Sequence, residues 1–129
     1  MRILLDTHVF LWWVEGDREL PRRARAAIVE PDNECFLSIA SAWELTIKAA
    51  LGKLRLAVPV RRYVADHLAA NAFSLLPVDL AHLGRLEGLP AHHGDPFDRL
   101  LVAQALEEEL TVVTADPVFR KYGVRKLWS

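Results

Sequence analysis

Two short apolar runs each lead into an aspartate: Ile3-Leu4-Leu5 stops at Asp6, and Thr111-Val112-Val113-Thr114 runs into Ala115-Asp116. If both runs are buried strands of one parallel sheet, their carboxyl ends can converge where open α/β sheets form ligand sites. A third acid, Asp98, falls in the first turn of a predicted helix, on the face continued by Leu101, Val102 and Ala105, so it lies with the inward stripe. Glu44 is the fourth, next to Trp43 on another predicted helix. Carboxylates gathered at one point repel unless they are protonated or neutralised. A hard divalent cation, magnesium or manganese, resolves that conflict through oxygen ligands and brings phosphate chemistry within reach. Each acid also has a plainer use. Asp6 and Asp116 can cap helices, Asp95 can cap the helix begun by Pro96, Asp98 suits a helix N-terminus, and Glu44 can pair with Lys48 one turn on.

The elements that must position these acids follow from hydrophobic periodicity. Ile3-Leu4-Leu5 predicts a buried first strand, and His8 to Trp13 a helical stretch after it. Glu19-Leu20-Pro21 opens a helix to Glu30, with Pro21 in the first turn and Ala24, Ala27 and Ile28 as its apolar stripe. Cys35-Phe36-Leu37 predicts a second strand, after which Ser38 or Ser41 caps a helix from Ala40 to Leu51 that Gly52 ends. Pro59 starts a helix to about Asn71, Ser74-Leu75-Leu76 is a third strand, and Leu80, Leu83 and Leu86 mark a short helix before a loop from Gly88 to Pro96. The helix carrying Asp98 follows, then the β-branched run from Thr111, a further helix start at Asp116-Pro117, and a last edge strand expected around Val124. Such alternation, with no repeats or low-complexity linkers, predicts one α/β domain over residues 1–129 with a small, mainly parallel sheet covered by helices.

With 129 residues and 52% hydrophobic content, the chain can bury a core unaided, but it is too short for a cleft between two lobes. A single cysteine, Cys35, excludes an internal disulfide framework or thiolate metal cluster, and its place beside Phe36 and Leu37 predicts an inert buried thiol. No His-Glu-x-x-His pattern or spaced Cys/His set accompanies the adjacent His92 and His93, which argues against zinc. No apolar run approaches the roughly 18 residues of a membrane span. Asp6 also interrupts any signal-peptide core, so a cytoplasmic protein is expected.

The segments Leu4-Leu5-Asp6-Thr7-His8, Ser41-Ala42-Trp43-Glu44-Leu45 with Ile47-Lys48 and Gly52-Lys53-Leu54, His92-His93-Gly94-Asp95-Pro96-Phe97-Asp98-Arg99-Leu100-Leu101, and Val113-Thr114-Ala115-Asp116 occur in an order and spacing that is highly specific. Over nearly its whole length the chain resembles the PIN-domain ribonucleases, particularly the VapC toxins of type II toxin-antitoxin pairs. That resemblance implies a three-layer α/β/α fold and an acidic quartet of Asp6, Glu44, Asp98 and Asp116 around a metal site. It implies support by hydrogen bonds from Thr114, Thr7 and Ser41, while Asp95 is taken as a cap that shapes the site. The activity implied is a magnesium-dependent endoribonuclease, with manganese as a plausible substitute, leaving a 5'-phosphate and a 3'-hydroxyl without a protein nucleophile. A homodimer is implied as well, as is a VapB-like protein antitoxin through which any DNA contact would be made. Two alternatives stand beside it: a PIN nuclease of RNA processing with no antitoxin, and a non-catalytic RNA- or protein-binding module whose acids are caps.

RNA needs positive surface near the acids. Lys48, Lys53, Arg55, Arg61 and Arg62 form one basic stretch, and Arg120, Lys121, Arg125 and Lys126 a second, although solvated helix faces would look the same. Arg99 is expected to meet a phosphate or make an internal pair, and His92 and His93 to shape their loop or touch RNA. Of Trp12 and Trp13, one is expected in the core and the other at a partner surface. The net charge of -1 is no obstacle to RNA: setting aside the quartet leaves 13 acidic against 16 basic residues, a balance of +3.

Overall fold

Five short strands, β1 (Arg2–Leu5), β2 (Glu34–Ser38), β3 (Ser74–Leu76), β4 (Thr111–Val113) and β5 (Lys126–Leu127), lie in the order β3-β2-β1-β4-β5 in the computed structural model, which describes residues 1–129. Every pairing is parallel, so the sheet is wholly rather than mainly so. Alternation along β1 sends Ile3 and Leu5 into one apolar cluster and Leu4 into another, both faces being dry. The first face is covered by α1 (Thr7–Glu15), α2 (Arg22–Val29), α3 (Ile39–Ala50) and α4 (Val60–Asn71), through Val9, Phe10, Ala24, Ile28, Leu45 and Val64. Against the second pack α6 (Pro96–Glu108), with Leu101, Val102 and Ala105, and a 3-10 helix (Pro117–Tyr122), with Phe119. α5 (Leu80–Glu87) packs on α6. The result is a three-layer α/β/α fold, in which each fully buried Leu or Phe contributes about 1.5–3 kcal/mol. No helix is long and apolar enough to cross a membrane.

The strand order makes the site. From β1 the chain adds β2 and β3 on one side, then returns to add β4 and β5 on the other, so the winding reverses between β1 and β4. Leu5 pairs with Val113 in register, and the Asp6 N–H donates to the Val113 carbonyl at 3.1 Å. Asp6 therefore emerges beside Thr114.

Several boundaries differ from the sequence expectation for identifiable reasons. The last strand is Lys126–Leu127, because Gly123, at φ +80°, turns the chain and Val124 is drawn into the core beneath α6. Pro21 stands just before α2 rather than inside its first turn. Ser38, not Ser41, caps α3, accepting the Ala40 N–H at 3.0 Å. Trp12 and Trp13 are both half-buried against their own chain, Trp12 on Trp128 and Trp13 on Phe73; the exposed tryptophan is Trp43.

Candidate metal centre

Asp6 ends β1 yet does not cap α1 with its side chain. Its carboxylate, 8% exposed, instead accepts the Thr114 hydroxyl at 2.6 Å. Burial raises its pKa above the usual carboxylate value; the Thr114 hydrogen bond and His8 oppose that rise, and the Glu44 charge adds to it. Thr114 is buried at the end of β4 and also accepts the Asp116 N–H at 3.1 Å, so one hydroxyl fixes both strand-end acids. Asp116 does cap its 3-10 helix, through Oδ1 to the Val118 N–H at 2.9 Å, while Oδ2 is left for the site.

Glu44 reaches the site from α3, where Ser41 and Glu44 lie one turn apart on the buried face. The Thr7 hydroxyl donates to Ser41 Oγ at 2.8 Å and ties α1 to that face. Glu44 Oε2 meets Lys48 Nζ at 2.9 Å, the plain helical pair that its spacing suggested. Its other oxygen, Oε1, is buried with no hydrogen-bond partner. A buried, unpaired carboxylate oxygen is costly, and a cation would satisfy it.

Asp98 enters from the first turn of α6. Asp95 caps that helix, its Oδ1 accepting the N–H groups of Phe97 and Asp98 at 2.8 and 3.3 Å. The Asp98 pKa is pushed up to about 7, first by burial, then by the charges of Asp6 and Asp95, with His93 pulling down and Glu44 pushing up again. Asp6, Glu44 and Asp98 thus feel one another directly. Their donors are all oxygen, one of them unpaired, and their mutual repulsion calls for positive charge, so the residues fit a hard divalent ion such as magnesium or manganese.

His93, expected to shape its loop or touch RNA, does brace the loop, its Nδ1 accepting the Asp95 N–H at 3.0 Å, and the other side of its ring turns into the acids. Nε2 lies 3.0 Å from both Asp98 Oδ2 and Asp116 Oδ2. Nothing in the adjacent His92-His93 pair distinguishes this ring; its place five residues before Asp98 in a short loop is the signal that could have found it. His92 instead packs edge-on against Tyr122 and gives its N–H to Tyr122 Oη at 3.1 Å. Arg99 makes the internal contacts left open as its alternative, donating to the Pro90 carbonyl at 2.9 Å and to Tyr122 Oη at 3.2 Å. A second His/acid group, Asp79, His82 and Glu108, is already satisfied: His82 Nδ1 accepts the Asp79 N–H and Nε2 faces Glu108 at 3.1 Å.

Beside Glu44 a cleft of about 270 Å³ is lined by Lys48, Lys53, Asp95 and Phe97 among others. Trp43 packs edge-on against Phe97 and also borders a separate apolar groove of about 390 Å³ between α3 and α4, with Ile39, Val60, Val64 and Leu68.

A three-layer α/β/α domain with carboxylates converging at the reversal of its parallel sheet defines an α/β protein with an acidic cluster at the strand ends, where open parallel sheets form ligand sites. More narrowly, the chain belongs to the PIN domain family, whose pattern it matches over residues 3–125. It is 32% identical over 123 residues to Ribonuclease VapC22 of Mycobacterium tuberculosis, covering 93% of this chain and 91% of that one. In fold it is similar to VapBC2 from Rickettsia felis bound to a promoter DNA fragment, with a TM-score of 0.75 at 14% identity over the full length of both chains. DNA-bound VapBC from Salmonella typhimurium gives a TM-score of 0.72 at 18% identity, covering 98% of this chain and 97% of that one.

Proposed function

We propose that this protein is a magnesium-dependent endoribonuclease of the VapC kind, the toxin of a toxin-antitoxin pair. The observation that carries the reading is the cluster itself: Asp98 is pushed up to about 7 by burial first and then by the charges of Asp6, Asp95 and Glu44, while Glu44 Oε1 sits buried and unpaired. The likeness to Ribonuclease VapC22 along nearly the whole chain supports an RNA substrate. Asp6, Glu44, Asp98 and Asp116 hold the ion, magnesium or manganese. When bound, it supplies charge against the phosphorane oxygens and a water acidic enough to attack phosphorus.

The chain's own residues do the rest. Thr114 orients Asp6 and Asp116, Ser41 and Thr7 fix the helix that carries Glu44, and Asp95 sets the start of the helix that carries Asp98. Lys48 and Lys53 line the adjoining cleft and draw the phosphodiester backbone toward the acids. Cys35 takes no part as nucleophile, because it is buried in β2 and its thiol is pushed up to about 11.

The apolar groove between α3 and α4 suits the apolar face of an antitoxin helix, with Trp43 exposed at its edge. VapBC complexes among the structural neighbours support such a partner, through which contact with DNA would be made. We take the working unit to be one PIN domain over residues 1–129, paired as a homodimer in the cytoplasm. Cleavage of a structured RNA pool tests the activity, with magnesium or with EDTA, alongside folded Asp6→Asn and Asp98→Asn variants. The expected result is RNA binding without cutting in EDTA and in both variants; cutting that survives all three interventions overturns the reading.

A further inference from the structure

The His93 ring is held from both sides. Its Nδ1 accepts the Asp95 N–H at 3.0 Å, so in the neutral ring the proton sits on Nε2, the atom 3.0 Å from Asp98 Oδ2 and from Asp116 Oδ2. The Nε2–H donates to Asp116, and Asp98 Oδ2 stands at the same distance from the nitrogen without accepting a hydrogen bond from it. This is the reverse of a metal-ligating histidine, whose outer nitrogen donates and whose inner nitrogen is bare. We propose that His93 is a built-in occupant of the cation position: its Nε2–H donates to Asp116 and lies against Asp98 while no ion is bound, and the ring leaves that gap when a divalent cation loads.

The inference rests on the reading of these acids as ion ligands and adds to it a residue that competes with the ion. A cation held by both Asp98 and Asp116 would compete with His93 Nε2, which lies 3.0 Å from an oxygen of each. Leaving is a matter of side-chain rotation alone. The loop backbone is anchored independently, since the N–H of His93 donates to Tyr122 Oη at 2.7 Å and Arg99 holds the Pro90 carbonyl. The His93 side chain is 21% exposed, so its ring has a route to solvent. The same ring stands 3.0 Å from acids on two different elements, and its charge-assisted hydrogen bond to Asp116 helps hold that acid in place without an ion.

Calorimetric titration of manganese into the wild-type protein and into His93→Ala tests this, with Asp116→Asn as a control and a two-dimensional proton-nitrogen spectrum of the histidine rings during magnesium titration. Removing the competitor is expected to tighten manganese binding about tenfold, the equivalent of one hydrogen bond to a charged group. His93→Gln, which retains a donor, should shift affinity less. The spectrum should show the proton of His93 on Nε2 without magnesium and altered ring-nitrogen shifts at saturation. Unchanged or weaker binding by His93→Ala, or ring signals indifferent to saturating magnesium, overturns the proposal alone. A wild-type protein that takes up neither ion overturns the metal-site reading, and this proposal with it.

Discussion

Thr114 Oγ1 donates to Asp6 Oδ2 at 2.6 Å, joining the ends of two strands whose residues stand 108 positions apart in the chain. The same oxygen accepts the Asp116 N–H, so removing it leaves a buried carboxylate and a backbone donor short of partners at once. Thr114→Val, nearly the same shape, should therefore cost about 1–3 kcal/mol in urea unfolding. RNA cleavage should fall at least about tenfold, as expected when acids that must hold an ion lose their orientation. Thr114→Ser, which restores the hydroxyl, should recover most of both. Equal stability of the valine variant would show that Asp6 does not depend on this bond.

How much of this was legible beforehand depends on whether the signal was local. Asp6 and Asp116 were visible because each closes an apolar strand, and parallel pairing of Leu5 with Val113 did the rest. Asp98 was visible because it interrupts an inward stripe. The partition of each acid's two oxygens was not legible: Asp116 both caps a helix and faces the site, and Glu44 both pairs with Lys48 and leaves Oε1 bare. A sequence offers cap or ligand as alternatives, while a carboxylate has two atoms and can be both. The destinations of His93 and Arg99 were hidden for a different reason. They depend on Tyr122, about thirty positions from the histidine, whose hydroxyl gathers the loop through tertiary packing alone.

Asp98 gives the metal-free protein a distinctive pH dependence. Its pKa rises from 3.8 in the open chain to about 7 in the fold, so between those values the native state keeps a proton that the unfolded state has lost. The contribution of Asp98 to stability should thus be largest near pH 4, decline as pH rises toward 7 by up to about 1.4 kcal/mol per pH unit, and level off above it. Asp98→Asn should flatten that slope and make the metal-free protein more stable than wild type at pH 8, as read by thermal unfolding in EDTA. Magnesium should raise the wild-type melting temperature at pH 8 and leave the variant nearly unmoved. A wild-type curve that climbs between pH 4 and 7 relative to the variant contradicts the clustering.

A buried polar link couples the two helices that carry Glu44 and Asp98. The Ser38 hydroxyl, the cap of α3, donates to Gln104 Oε1 on α6, and Gln104 Nε2 donates to the Pro77 carbonyl at 3.2 Å. Both side chains are fully buried. Gln104→Leu should cost about 1–3 kcal/mol, since it leaves the Pro77 carbonyl and the serine short of partners in a dry core. Because α3 and α6 then lose a shared constraint, magnesium affinity should weaken along with stability, whereas a change in stability alone would confine Gln104 to the core. Calorimetry and urea unfolding on the same preparation separate these outcomes.

Arg99 stands directly after Asp98, where a guanidinium could clamp a phosphate, yet three of its five N–H donors go to the Pro90 carbonyl, the Leu89 carbonyl and Tyr122 Oη. These contacts hold the loop that carries His93. A residue that contacts phosphate contributes about one unit to the slope of log affinity against log salt, whereas a residue that braces a loop contributes to folding. Arg99→Ala should therefore lower stability by about 0.5–1.5 kcal/mol through the partly exposed carbonyls and hydroxyl it abandons. The salt slope of RNA binding, measured with EDTA present so that nothing is cut, should stay at the wild-type value. Lys53→Ala, in the cleft beside Glu44, should do the opposite, leaving stability near wild type and reducing the slope. If the arginine variant loses slope while keeping its stability, the guanidinium turns from the loop to the phosphate when RNA binds, and the bracing role assigned to it fails.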